Sequence, residues 1–181
     1  DGRWLWVPYY RRSFDQYGQS PGAIAIIDTT TDEIVRVMPT GPIPKYVVTS
    51  PDGRYTAVIH WGDNTIGVID TSSNNPQSFK YISHLKVEKP LSQSGLNNTD
   101  RDKTCGFCLR GAVFSRDSRY LLVARMGKGG MAGFDVVNNE YVGSIMHVKS
   151  TPRHLTLSPD GETLYVSSNA LGYVSKAPMN E

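Results

Sequence analysis

The sequence predicts an all-β fold assembled from repeated four-stranded antiparallel units. Three observations predict it: a turn motif that recurs along the chain, β-forming strands on both sides of each turn, and a fixed distance from the turn to the end of the third strand. The turn appears as Thr49-Ser50-Pro51-Asp52-Gly53-Arg54-Tyr55, as Phe114-Ser115-Arg116-Asp117-Ser118-Arg119-Tyr120, and as Leu157-Ser158-Pro159-Asp160-Gly161-Glu162-Thr163. Pro suits the second position of a tight turn, and Asp followed by Gly or Ser tolerates the bend. Asp52 and Asp70 are 18 residues apart, as are Asp117 and Asp135, and the period from Ser118 to Gly161 is 43 residues. Four-stranded units repeating at roughly 40–50 residues are the blades of a β-propeller.

Each strand follows from that frame. Short apolar strands precede the turns at 46–48, 112–114 and 154–157. Second strands rich in β-formers follow at 55–60, 120–125 and 163–168, and third strands close in Asp at 66–70 and 131–135. A fourth strand occupies 141–145. Asp1-Gly2-Arg3-Trp4 enters the same frame, which places second, third and fourth strands at 5–9, 23–28 and 34–38. About four blades therefore lie in one domain, 1–181, at approximately 1–41, 42–90, 105–149 and 150–181. The first lacks its innermost strand and the last its outermost. Two segments break the period, Arg11 to Pro21 and the insertion 85–109, and both join strands on one face of the ring, where insertions build binding surfaces.

Composition limits the partners. The 181 residues carry 20% charged side chains, with 19 Lys plus Arg against 17 Asp plus Glu. Nucleic-acid and membrane-surface binding need concentrated positive charge, so neither is expected. No apolar run reaches the roughly 20 residues of a membrane-spanning helix, so no membrane insertion is expected. The chain opens inside a repeat and reads as a piece of a longer protein. A partial ring leaves sheet edges and apolar faces bare, so its expected partners are the remaining blades of a longer propeller or a second copy of the chain.

The runs Tyr46-Val47-Val48-Thr49-Ser50-Pro51-Asp52-Gly53, Thr65-Ile66-Gly67-Val68-Ile69-Asp70-Thr71 and Leu164-Tyr165-Val166-Ser167-Ser168-Asn169 resemble the YVTN repeats of bacterial surface and periplasmic propellers, a WD-like pattern. The resemblance covers nearly the whole chain outside the two insertions. It departs in the third repeat, where Arg116 stands in place of Pro. It implies a full ring of six to eight blades and an extracytoplasmic location, in the periplasm or at the cell surface of a bacterium. Related propellers include surface proteins, lactonases and cofactor-bearing enzymes, so the motif specifies fold rather than function and identifies no cofactor.

The repeat frame also nominates a site. Five residues before each turn Ser lie Lys45, Arg110 and Arg153, which open the innermost strands and are expected at the mouth of the central channel. Seven residues after the turn Gly or Ser come Tyr9, His60, Arg125 and Ser168, with Tyr10 and Trp61 next to two of them. Cations among aromatics suit a carboxylate or phosphate on a flat organic body, here an anionic small molecule. The alternative is that each cation pairs with a neighbouring Asp or caps a loop carbonyl. Cys105-Gly106-Phe107-Cys108 has redox-motif spacing but no helix after it. A local disulfide between Cys105 and Cys108 is the first expectation, with free thiols and redox chemistry behind it, and a disulfide implies an oxidising compartment. The sequon Asn97-Asn98-Thr99 would be idle in a bacterium.

Catalytic signals are thin. His84 and His147 read as outer-rim residues and His154 as packed between blades, which leaves His60 as the histidine a ligand could meet. Gly127-Lys128-Gly129-Gly130 joins two antiparallel strands and is a turn, not a phosphate loop. No catalytic set and no metal ligands are identified. The expected function is a non-catalytic ligand- or protein-binding module. The alternative is a propeller enzyme domain, a lactonase-like hydrolase or a cofactor-bearing oxidoreductase, with His60, Arg110, Arg125 and Arg153 handling an anionic group.

Overall fold

The computed structural model describes residues 2–11, 20–87, 108–127, 129–146 and 151–179. The recurring turn is held by the same hydrogen bonds each time. Asp52, Asp117 and Asp160 accept from the backbone N–H two residues on, at 3.0, 3.1 and 3.0 Å. Ser50, Ser115 and Ser158 donate their hydroxyls to those carboxylates. The same serine oxygens accept from the N–H five residues on, at 3.0, 2.8 and 2.9 Å. Short polar side chains that bond their own backbone stabilise a bend without help from the core. The left-handed position in the turn falls at Gly53, Ser118 and Gly161, with φ of 74°, 64° and 75°, and again at Gly2. Gly2 therefore holds the same place in the repeat frame.

Among the described residues, fourteen strands follow from these turns. They are β1 Trp4–Tyr9, β2 Pro21–Asp28, β3 Glu33–Pro42, β4 Pro44–Thr49, β5 Tyr55–His60, β6 Thr65–Asp70 and β7 Lys80–Lys86. The series continues with β8 Leu109–Phe114, β9 Tyr120–Arg125, β10 Met131–Asp135, β11 Glu140–Met146, β12 Pro152–Leu157, β13 Thr163–Ser168 and β14 Tyr173–Pro178. They form four antiparallel sheets in the orders β1-β2-β3, β4-β5-β6-β7, β8-β9-β10-β11 and β12-β13-β14. The predicted strand positions and the partial first and last blades are all present. The third strands of the first three blades end in an Asp that caps the following hairpin. Asp28, Asp70 and Asp135 accept from the N–H groups of Thr30, Ser72 and Val137 at 2.9–3.0 Å.

Each blade packs its apolar faces on its neighbours. Ile24, Ile26 and Met38 of the first meet Val58, Ile69 and Phe79 of the second. Ala57, Ile59, Ile66 and Val68 meet Leu121, Val123, Ala132 and Phe134 of the third, and Leu122, Ala124 and Met131 meet Leu155, Leu164 and Val166 of the fourth. The inner strands lie side by side, with β8 between β4 and β12. Gly111 permits this approach, because a Cβ there would lie 2.6 Å from the Arg153 carbonyl oxygen and 2.8 Å from the His154 Cα.

The two departures of the third repeat tie neighbouring turns together. The Ser118 hydroxyl accepts from the Asp52 N–H at 3.1 Å, and the Arg116 guanidinium donates to the Asp160 carbonyl at 3.0 Å. Proline and glycine at these positions could make neither bond. The outward faces of the end blades differ. The first exposes Leu5, Val7, Ile34 and Val37, while the fourth mixes polar and apolar residues, with His154, Thr156, Tyr165, Val174 and Lys176 exposed.

Candidate functional site

The three nominated cations occupy one backbone feature repeated in three blades. At the start of each inner strand the pairing with its neighbour slips: past Lys45 in β4, past Arg110-Gly111 in β8, and past Arg153 in β12. Two residues before each cation stands a residue in the left-handed region, Ile43 at φ 50°, Cys108 at 49° and Thr151 at 52°. Left-handed backbone costs a non-glycine residue about 1–2 kcal/mol, and it is uncommon for β-branched residues such as Ile and Thr. The fold maintains that cost at three equivalent positions, and each time a cation stands at the slip that opens an inner strand.

Ile43 and Cys108 belong to an apolar cluster with Trp61 and Met126, with Tyr10 packed against it. Lys45 touches that cluster through Tyr10. Its ammonium sits 4.6 Å from the centroid of the Tyr10 ring and is hydrogen-bonded to the Tyr10 hydroxyl. Arg153 donates to the Asn169 side-chain oxygen at 2.9 Å, and Arg110 is half-buried. Arg125, at the end of β9, is bonded to the Ser144 hydroxyl on the outermost strand β11, so its guanidinium reaches toward the rim rather than the axis. A cleft of about 310 Å³ opens on the first blade between Tyr9, Tyr10, Arg11 and the Ser20–Ala23 segment. Tyr9 is 47% exposed. Arg11 and Ser20 were not nominated by the repeat frame, because they lie at the edges of an insertion with no counterpart in the other blades. The signal available was adjacency to Tyr9-Tyr10.

His60 and Trp61 do not stand open at the mouth. His60 is 0% exposed. Its Nε2 accepts from the Gly41 N–H at 3.1 Å, which leaves the proton on Nδ1 to be donated to the Thr65 hydroxyl at 2.9 Å. Thr65 in turn donates to the Asp63 carboxylate at 2.7 Å. Burial, helped by the charge of His84, pushes the His60 pKa down to about 4, while burial pushes Asp63 up. A neutral imidazole with both nitrogens engaged is a clamp between the first and second blades, so it leaves the ligand set. The ring fits because Gly41 gives it room: a Cβ there would lie 2.5 Å from Nδ1. Trp61 is 3% exposed, and its indole N–H has no hydrogen-bond partner among the described residues. It is packed within that cluster and offers no open stacking surface.

The remaining histidines follow their neighbours. His84 is exposed on the outer strand β7 against Tyr81, with ring centroids 5.1 Å apart. His154, expected between blades, is instead exposed and edge-on to Tyr46 at 6.2 Å. Tyr46, Gly111 and His154 hold the same repeat position on the three inner strands, so this contact narrows the space around the axis. Cys108 is not a free thiol. Cys105, the sequon, Lys128 and His147 lie outside the described residues. Gly129 and Gly130, both at positive φ, make the β9–β10 connection a turn.

No protein-family model matches the chain, and no curated protein matches it. Among solved structures, the chain is similar to the hydrazine synthase of Kuenenia stuttgartiensis, at 21% identity and a TM-score of 0.66, over 87% of this chain and 40% of that one. It is similar to a putative 6-phosphogluconolactonase from Bacteroides uniformis, at 18% identity and a TM-score of 0.65, over 99% and 51%. It is also similar to the β-propeller domain of Cps50 (Swd1) from Myceliophteria thermophila, at 13% and 0.66, over 98% and 55%. The four sheets match part of a β-propeller. At these identities the likeness is one of fold, and the chain spans 40–55% of those three structures' length.

Proposed function

We propose that this chain is the ligand-binding part of an extracytoplasmic bacterial propeller, and that its site is the cationic end of the ring. The observation that carries the reading is the threefold repetition of a left-handed residue, a pairing slip and a cation at Lys45, Arg110 and Arg153. A side chain that only caps a loop does not require the same strained backbone in successive blades. The Lys45–Tyr10 contact and the cleft beside Tyr9 and Arg11 extend the charge onto an aromatic surface. Such a surface suits a carboxylate or phosphate carried on a flat or apolar body, through charge-assisted bonds and stacking. The bonding state of Cys108 is consistent with a Cys105–Cys108 disulfide, which belongs to an oxidising compartment. The rest of the ring comes from further blades, in keeping with the longer propellers that the chain partly covers.

The test is a thermal-shift and calorimetric titration with dicarboxylates, sugar phosphates and quinone carboxylates. At least one class should stabilise the wild-type chain, and the Arg110→Ala/Arg153→Ala protein should bind it at least about tenfold more weakly, the loss of one charge-assisted bond or more. Unchanged affinity in the double variant, or no shift with any anion, overturns the reading. Turnover of a lactone or oxidation of a substrate by the wild type would favour the enzymatic alternative.

A further inference from the structure

A groove of about 380 Å³ runs between the first two blades at their turn end, lined by Trp4 and Trp6 of the first and by Thr49, Thr56, Thr71 and Phe79 of the second. The threonines break the pattern of the other blades. At their three positions the repeat frame puts Phe114, Leu121 and Val136 in the third blade, and Leu157, Leu164 and Met179 in the fourth. Those six side chains belong to the apolar packing between blades. In the second blade, which has its four strands, a hydroxyl ladder replaces them. Thr71 donates to the Gly53 carbonyl at 2.8 Å and Thr56 donates to Thr71 at 3.5 Å, so the hydrogen across the 3.0 Å contact of Thr49 with Thr56 comes from Thr49. Each hydroxyl hydrogen is then engaged inside the ladder, while the oxygens keep acceptor capacity. Thr56 is fully buried, but Thr49 is exposed and Thr71 half-buried.

The connection after β6 forms another part of the wall. Lys80 follows Asp70 by ten positions, where Glu33 follows Asp28 and Glu140 follows Asp135 by five. The longer segment is fixed to the first blade. Arg36 donates to the Pro76 carbonyl and, at 2.7 Å, to the Phe79 carbonyl, and the Gln77 side chain donates to the Val35 carbonyl at 2.8 Å. Phe79 stacks on Trp6, with ring centroids 5.6 Å apart and planes 20° apart. Asp52 and Arg54 also line the groove. They pair at 2.5 Å through the arginine Nε, which leaves the terminal guanidinium nitrogens as donors and cancels the two charges.

We propose that this groove binds a neutral carbohydrate. One pyranose packs a C–H face on Trp4 and Trp6, its hydroxyls donate to the threonine oxygens and the Asp52 carboxylate, and others accept from Arg54. Indole faces are negative and attract C–H bonds, and hydroxyls whose hydrogens are already engaged call for a ligand that donates. A wholly apolar ligand would desolvate the ladder without replacing its water bonds, and an anion would meet a guanidinium already neutralised by Asp52. The volume stands at the small end of ligand sites, roughly 300–1,000 Å³, which suits one or two sugar rings. Lys45 and Thr49 lie near opposite ends of β4, so this site is separate from the cationic one.

The test titrates the 181-residue chain with cellobiose, maltose and chitobiose, followed by calorimetry and tryptophan fluorescence. At least one should bind with a millimolar or tighter Kd and shift the emission. Trp4→Ala should weaken that sugar at least about tenfold. Thr49→Val, an isosteric change at an exposed position that leaves the core alone, should weaken it about threefold or more. Arg110→Ala/Arg153→Ala should bind it as the wild type does. No binding at tens of millimolar sugar, wild-type affinity in Thr49→Val, or loss of binding in the double-arginine variant overturns the proposal.

Discussion

Replacing Gly41 by Ala tests the reading of His60 as a clamp between blades. The new Cβ would lie 2.5 Å from His60 Nδ1 and 2.7 Å from Cγ, where contacts of a real Cβ stay beyond about 3 Å, so the ring or the end of β3 must move. The ring has little freedom, being fully buried and bonded at both nitrogens. Overpacking of this kind costs about 1–3 kcal/mol, and displacing the ring from the Gly41 N–H adds about 1 kcal/mol. The sum, about 2–4 kcal/mol, lowers the melting temperature by roughly 4–16 °C for a domain of this size. In a His60→Ala background the clash is absent and the Gly41 N–H has already lost its acceptor, so Gly41→Ala should then cost less than about 1 kcal/mol. Urea melts of the four proteins give the coupling energy directly. If Gly41→Ala costs the same with and without the imidazole, the two residues do not form the contact described.

Acidification probes the same residue. Its pKa is near 4 in the fold against about 6.5 unfolded, so the unfolded chain binds the extra proton between those values. Stability owed to the neutral ring is complete above pH 6.5 and is lost as pH falls toward 4, by about 3 kcal/mol over the window. Subtracting urea melts of His60→Gln from those of the wild type at pH 7 and pH 4.5 isolates that slope, since Asp63, raised by burial, titrates in both proteins; parallel curves would contradict it. Gly111→Ala should cost at least as much as Gly41→Ala, about 3 kcal/mol, because its Cβ meets the backbone of Arg153 and His154, which cannot rotate away; a melting temperature within 2 °C of wild type would show that β8 and β12 are farther apart. Ser118→Gly relieves left-handed strain but orphans the Asp52 N–H, so it should change stability by less than about 1 kcal/mol. Ser118→Ala keeps the strain and loses the bond, at about 1–2 kcal/mol, and the reverse order in calorimetry would refute the inter-turn contact.

The strands were legible because their causes are local. A Ser and an Asp two residues apart close each turn with their own backbone, and a third-strand Asp caps each of the first three hairpins, so pattern alone sufficed. His60 was misplaced for a non-local reason. Repeat position put it at an outlet on the mouth face, but Gly41, on another blade, opens a slot that swallows the ring. The paired glycines, Gly41 beside the ring and Gly67 beside both Tyr81 and His60, were the available signal. Tyr10 and Lys45 could not be linked from sequence, because they belong to different blades and meet only when β1 and β4 are brought side by side. Arg116 read as a departure from the motif and Ser118 as a tolerated variant of its turn, yet they are where the third turn bonds its two neighbours.

The unlike outer faces of the two end blades give the assembly a direction. Copies added head to tail would set Lys176 and Thr156 of one molecule, beside Val174, against Ile34 and Val37 of the next, placing a charge among apolar side chains. A repeat whose ends matched could grow without limit, as heterologous contacts that fail to close produce fibres. Here the mismatch opposes runaway stacking.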